Sequence, residues 1–342
     1  PIGAYAKIEG NLITLKGLVA SLDGKIIHKS EIVGPIDDAI NIGQDLGEVL
    51  LKMGANEILE KLIQQWQKVS VDKRLTQKEI EKLIKIGLEE DIGLGDITSR
   101  SILSPDDINV AEVLTRENIV LCGLNILKSV FLTLDPDIDF SDDRFNDGDN
   151  LKSNTKIISI KGKGIALLEG ERVALNILQR LCGIATLTKE YVDKANPVKI
   201  LDTRKTTPGL RLFEKYAVSC GGGKNHRFGL YDAVLIKDNH IKAAGGIIKA
   251  VEKIKKNHNN SVQIEVETTT LSEVNDAIIA KSDIIMLDNM PLEDIKKAVN
   301  LIDGRASIEV SGSISVDQLN ALSKVNIDFV SNNILNLFES VD

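Results

Sequence analysis

The sequence predicts an α/β protein: parallel βα units, in a sheet either open or closed into a barrel, preceded by smaller elements. Six short apolar runs, at 198–201, 233–236, 263–266, 284–287, 307–310 and 329–330, alternate with helix-like stretches. That is the pattern of buried parallel strands crossed by helices. Of the 342 residues 43% are hydrophobic and 27% charged, which excludes a largely disordered chain and leaves room for two or three domains.

Residues 1–62 read as a compact α/β unit. ITLKGL (13–18) is a strand, LDGK (22–25) a turn, and Ile26 and Ile27 open a second strand that closes near Val33 at the breaker Gly34-Pro35. Ile40, Leu46, Val49 and Leu50 recur near helical spacing, Met53-Gly54 ends that helix, and a shorter one is expected over 57–63. With six basic and nine acidic residues the unit is acidic. Residues 64–75 lack an apolar period and read as a linker. A helix starts at Thr76 with Glu79 completing a capping box, on a face of Ile80, Leu83, Ile84, Gly87 and Leu88. A glycine-rich turn (91–99), short strands with one helix around 124–132, and a solvated hairpin region holding seven aspartates (135–149) follow. From about Leu175 the βα texture takes over.

Several function classes fall away. No run approaches the ~18 apolar residues of a membrane span, and no basic-then-apolar leader is visible. Cys122, Cys182 and Cys220 form no CxxC pair, so a disulfide framework or structural zinc is not expected and a reducing cytoplasm is. A formal charge of −8 argues against a nucleic-acid protein.

In βα barrels, reactive residues sit at the C-terminal ends of the strands. Here those positions hold residues 202–205, Lys237-Asp238, Glu267, Asp288 and Ser311-Gly312. Between 199 and 242 there are nine Lys/Arg against four Asp/Glu, including Arg204, Lys205, Arg211, Lys224, Arg227 and Lys237. A solvated basic face is the plainer reading. Placement at strand ends, interleaved with GGGKNHR (221–227), favours a small polyanion carrying carboxylates, phosphates or both. Glu267 and Asp288 are either strand-end caps or holders of a ribose diol or, through Mg2+, of a diphosphate. Ser311-Gly312 before a helix suits a phosphate. Asp135, Asp137 and Asp139 imitate a calcium loop, but Phe140 and Asn146 stand where Gly and Glu are required. KGKG and GLGD lack nucleotide-loop spacing, Cys220 reads as a small buried residue, and His28, His258 and Trp66 suggest no ligand.

From about residue 76 to 331 the chain resembles quinolinate phosphoribosyltransferase. The resemblance rests on LEEDIGLGDITS, ERVALNILQRLCGIAT, ILDTRKTTPGLRLFEKYAVSCGGGKNHRFGLYDAVLIKDNH, IEVE, IIMLDN and VSGSI. It implies an α/β sandwich (76–178) joined to an incomplete α/β barrel (179–331), as a cytoplasmic homodimer with shared active sites, some relatives stacking into hexamers. Arg204, His226, Arg227 and Lys237 would hold the two carboxylates of quinolinate, with Arg172 reaching in from the neighbouring subunit and Thr203 as a further substrate-binding residue. Lys205, Glu267 and Asp288 would bind phosphoribosyl pyrophosphate and its Mg2+, the metal indirectly, with Ser311 and Gly312 on the 5-phosphate. Lys205, Lys237, Glu267 and Asp288 are the implied catalytic set. The nearest alternative is the paralogue of molybdate-transport operons, against which the intact set Arg172, Arg204, His226, Arg227 and Lys237 weighs.

PIGAYAKIEGNLITLKGLVASLDGKIIHKSEIVGP instead resembles the C-terminal domain of porphobilinogen deaminase, an enzyme of porphyrin biosynthesis. In that family the cofactor-bearing cysteine stands just upstream of the matching PIGAYA, so a start at Pro1 predicts a fusion whose natural chain extends further. A non-catalytic tetrapyrrole-pathway module is the reading from another class. The expected boundaries are 1–62, a linker at 63–75, the sandwich, the barrel and a divergent tail at 332–342. There, Asn332-Asn333 replaces the family's glycine turn, a change expected to bear on phosphate binding.

Overall fold

The computed structural model describes residues 2–21, 25–58, 75–142, 144–258 and 262–332. Most of the 64–75 linker, most of the 57–63 helix, Asn333 and the rest of the tail lie outside them. The chain divides into two compact units, Pro1–Asp72 and Lys73–Asp342.

In the first unit, β1 (Ile2–Glu9), β2 (Leu12–Ala20) and β3 (Ile27–Pro35) form an antiparallel sheet in that order. β1 was not expected: its short, mixed AYAKIE stretch carries a weaker apolar signal than ITLKGL. Helix α1 (Ala39–Leu50) buries Ile42, Leu46 and Leu50, and the last two join Val19, Ala55 and Ile58 in a small core. Of the expected face, Leu46 and Leu50 are buried, whereas Ile40 is 80% exposed. Gly54, at φ +104, breaks the helix where the sequence placed its end.

The second unit begins with α2 (Gln77–Ile92), opened by the expected Thr76–Glu79 capping box. The glycine-rich turn is shorter than expected, because Asp96 accepts the backbone N–H groups of Thr98 and Ser99 and starts α3 (Ile97–Ile102). β4 (Ile108–Leu114), β8 (Lys156–Lys163) and β6 (Asp139–Ser141) form one antiparallel sheet, and β5 (Ile119–Val120) pairs with β7 (Asn150–Leu151). The aspartate-rich stretch is not merely solvated. Asp135 is buried, and Asp147 accepts from the N–H groups of Gly123 and Leu124, each at 3.0 Å, satisfying two donors at the start of α4 (Leu124–Leu134).

Helix α5 (Gly164–Ala195) is 32 residues long and runs unbroken through 178–179. It packs on α2, α4 and β5 and then on the barrel elements. The barrel wall is a parallel sheet in the order β10 (Val234–Ile236), β11 (Ile264–Thr268), β12 (Ile284–Asp288), β13 (Ser307–Ser311), β14 (Phe329–Ser331), β9 (Lys199–Leu201). Among the described residues β9 and β10 do not pair, so the wall stays open as an incomplete barrel. One apolar core runs from the sandwich through α5 into the barrel. Cys220, expected to be buried, is half-buried; Cys122 and Cys182 are buried, and all three are free thiols. No helix among the described residues is long and apolar enough to cross a membrane.

Candidate active site

The wall opens, at the C-terminal ends of its strands, into a cleft of about 430 Å3. Of the residues that the family resemblance implies, all lie there except Arg172: Thr203, Arg204, Lys205, His226, Arg227, Lys237, Glu267, Asp288, Ser311 and Gly312; of the cation cluster and strand ends, Arg211, Lys224 and Asp238 do not line it. Glu267, Asp288 and Ser311 belong to β11, β12 and β13 rather than following them, because parallel pairing extends to these last inward positions.

The segment between β9 and β10 supplies the cations. It leaves β9 with Arg204 and Lys205, continues through α6 (Arg211–Cys220), returns through a parallel bridge between Leu201 and Lys224, and presents His226 and Arg227. Arg211 ties its two arms, donating from Nε to Thr206 Oγ1 at 2.9 Å and from Nη1 to the Phe228 carbonyl at 3.1 Å. The glycines after Cys220 answer to packing: a Cβ on Gly221 would stand 2.4 Å from the Ala185 carbonyl oxygen of α5. Gly312, at φ +141, has conformational freedom that other residues lack, and a Cβ there would lie 2.6 Å from Asn289 Oδ1.

Beneath this segment sits an ion pair that the sequence did not disclose. Buried Lys215, on α6, donates to buried Asp202 and, at 3.0 Å, to the His226 carbonyl, while Asp202 accepts the His226 N–H at 2.8 Å. Burial pushes the Asp202 carboxyl up to about 6 and the Lys215 amine down, so mutual attraction offsets only part of the desolvation. At the mouth, half-exposed Lys237 donates to Glu267 Oε2 at 2.8 Å. The Arg227 guanidinium is pushed below its ordinary value, first by burial and then by neighbouring Arg204. Two guanidiniums crowded in this way favour an anion between them.

The His226 ring is held by both nitrogens. Nδ1 accepts the Arg227 N–H at 2.8 Å and Nε2 faces Glu265 Oε2 at 3.0 Å. The Nδ1 contact leaves the ring proton on Nε2, donated to Glu265, and burial, which lowers the imidazole below its usual value, keeps the ring neutral. Glu265 and Glu309 were also missed, although an acid inside each of the apolar runs IEVE and IEVS was the available signal. Arg172 stands apart, exposed on α5, in a second cleft of about 400 Å3 with Leu83, Asn176, Arg180 and Phe213.

An incomplete parallel barrel whose strand ends meet four cations, two carboxylates and a Ser-Gly turn defines a phosphoribosyltransferase of the barrel type. Two family models match nearly all of the second unit: "Quinolinate phosphoribosyl transferase, N-terminal domain" over 96–182 and "C-terminal domain" over 184–340. The chain belongs to the quinolinate phosphoribosyltransferase family. It is 42% identical over 255 residues to the probable nicotinate-nucleotide pyrophosphorylase (carboxylating) of Bacillus subtilis, covering 74% of this chain and 88% of that one. With the chloroplastic nicotinate-nucleotide pyrophosphorylase of Arabidopsis thaliana it shares 40% identity over 277 residues, 75% of this chain and 79% of that one. NadC of Streptococcus pyogenes superposes with a TM-score of 0.76 at 41% identity, covering 79% of this chain and 96% of that one. Residues 1–52 match the model "Porphobilinogen deaminase, C-terminal domain".

Proposed function

We propose that the cleft joins quinolinate to phosphoribosyl pyrophosphate, yielding nicotinate mononucleotide, pyrophosphate and CO2 in NAD biosynthesis. The observation that carries this reading is the convergence of Arg204, Lys205, Arg227 and Lys237 on one cleft that also holds Glu267 and Asp288. Arg204, Arg227 and Lys237, with Thr203 and His226 beside them, receive the two carboxylates. Lys205, Ser311 and Gly312 receive phosphate groups, the last through a turn that only glycine makes without strain. Substrate exchanges the Lys237–Glu267 contact for its own: the ammonium turns to a carboxylate and Glu267 is released toward the ribose.

As the bond from the anomeric carbon to pyrophosphate breaks and the bond to the pyridine nitrogen forms, positive charge grows on the ribose. Glu267 and Asp288 stabilise that charge from the strand ends. The ring is then cationic, so the adjacent carboxylate leaves as CO2, its electron pair stays on the ring carbon, and that carbon takes a proton. The residues fit Mg2+ held through its substrate. Glu267 and Asp288 are hard oxygen donors, and neither belongs to the clusters of three or more His, Cys or acid groups found among the described residues. Phosphate oxygens would therefore complete the coordination shell. When bound, Mg2+ neutralises charge on the departing pyrophosphate.

Arg172, exposed and outside the cleft, is assigned to the cleft of a second copy in a cytoplasmic homodimer. The test is release of CO2 from carboxyl-labelled quinolinate, dependent on phosphoribosyl pyrophosphate and Mg2+. A well-folded chain that releases none defeats the reading.

A further inference from the structure

The floor of the cleft is built from two acids, and what they hold up is the quinolinate half of the site. Glu265, in β11, and Glu309, in β13, are 5% and 1% exposed. Each is an acid inside an apolar strand, turned inward because alternate strand residues face the barrel interior. Glu309 Oε2 lies 3.8 Å from His226 Nε2, and ligand atoms of Glu309, Glu265 and His226 all fall within 4.8 Å of one another. Two carboxyl groups this close and out of water do not both ionise readily, so a hydrogen shared between them is favoured. Glu265 Oε2 takes the Nε2–H of His226, whose Nδ1 takes the N–H of Arg227. The two acids therefore close on Nε2 of the ring, while its Nδ1 holds the backbone N–H of Arg227, a residue that lines the cleft.

We propose that Glu309 is a positioning residue for the dicarboxylate: together with Glu265 it fixes the His226 ring, whose Nδ1 holds the backbone N–H of Arg227. The inference rests on the assignment of Arg227 and His226 to quinolinate. Glu309 lies at the bottom of the cleft at 1% exposure and acts on the ligand through the His226 ring. One oxygen on each acid, Oε1, is buried with no hydrogen-bond partner, so a pair of this kind costs stability. That cost supplies the discriminating readout. Replacing a buried acid by an apolar side chain of similar volume is often neutral or stabilising, so a merely structural role and a positioning role predict different results.

The experiment compares Glu309→Met and Glu309→Gln with wild type in the full-length chain. Quinolinate affinity is measured by titration calorimetry, KM for each substrate by CO2 release, melting by calorimetry and metal content by atomic emission. In E309M the expected result is at least a tenfold rise in Kd and KM for quinolinate. KM for phosphoribosyl pyrophosphate stays within about twofold and melting temperature is equal or higher. E309Q, whose amide donates to Glu265 without a shared hydrogen, recovers most of the affinity lost in E309M. Equal affinity in E309M and wild type overturns the proposal, as does a rise in KM common to both substrates. One equivalent of divalent metal in wild type that disappears in E309M also overturns it, because a cation would then hold the triad. If wild type binds quinolinate with this variant pattern yet releases no CO2, the reaction assignment fails and the positioning role stands.

Discussion

Two ion pairs share one cleft and do opposite things. Lys237 and Glu267 meet at the mouth, where the lysine side chain is 44% exposed; Lys215 and Asp202 meet underneath, at 3% and 0%. The mouth pair is solvated, so separating it is cheap and both ends can pass to a ligand. The deep pair is out of water, and removing one partner strands a charge that nothing else neutralises. The same two functional groups thus make a replaceable contact at the rim and a permanent strut below.

The largest expected effect breaks the strut. Lys215→Met leaves Asp202 buried beside the His226 backbone and should cost about 3–5 kcal/mol in urea unfolding; a loss below 1 kcal/mol would erase the distinction between the pairs. Next comes the rim. Lys237→Ala or Arg204→Ala should lower kcat/KM by at least about tenfold, or about 1.4 kcal/mol, with the urea midpoint unchanged. Wild-type kinetics in both variants would remove the rim from the mechanism.

The smallest effect is read against pH. Burial, and then Glu265, push the Glu309 carboxyl up to about 8, so the fold holds its proton more tightly than the unfolded chain does. That contribution is fully present below the ordinary carboxylate range and is lost as pH rises through about 8. The urea midpoint of wild type should therefore fall between pH 6 and pH 9 more than that of Glu309→Gln. Parallel slopes would deny Glu309 its proton.

Which parts of this were legible follows from how each element is stabilised. The barrel strands are buried on both faces and advertise themselves as unbroken apolar runs, so 284–287 and 307–310 fall within a residue of β12 and β13. The rim was legible because a strand end that faces solvent has no packing reason to be polar in the same way five times. Asp202 and Lys215 were not legible: they lie 13 positions apart, and only the turn through α6 brings them together. Arg172 was legible only through family resemblance, since nothing in its own helix points to the cleft. The expected boundary at 178–179 falls inside helix α5, because the change in texture near Leu175 comes from the change of partners along it, from sandwich to barrel.

The gap between β9 and β10 has a further consequence. A closed barrel is held by its own backbone, and its ligands merely visit; here the segment across the gap carries Arg204 and Arg227, while Lys237 follows β10 on the far side. In the proposed function, a dianion gripped from both sides would complete the circumference with ionic bonds where a closed sheet uses amide hydrogen bonds. Substrate would then be a removable stave of the barrel, and its binding would stabilise this wall by linkage.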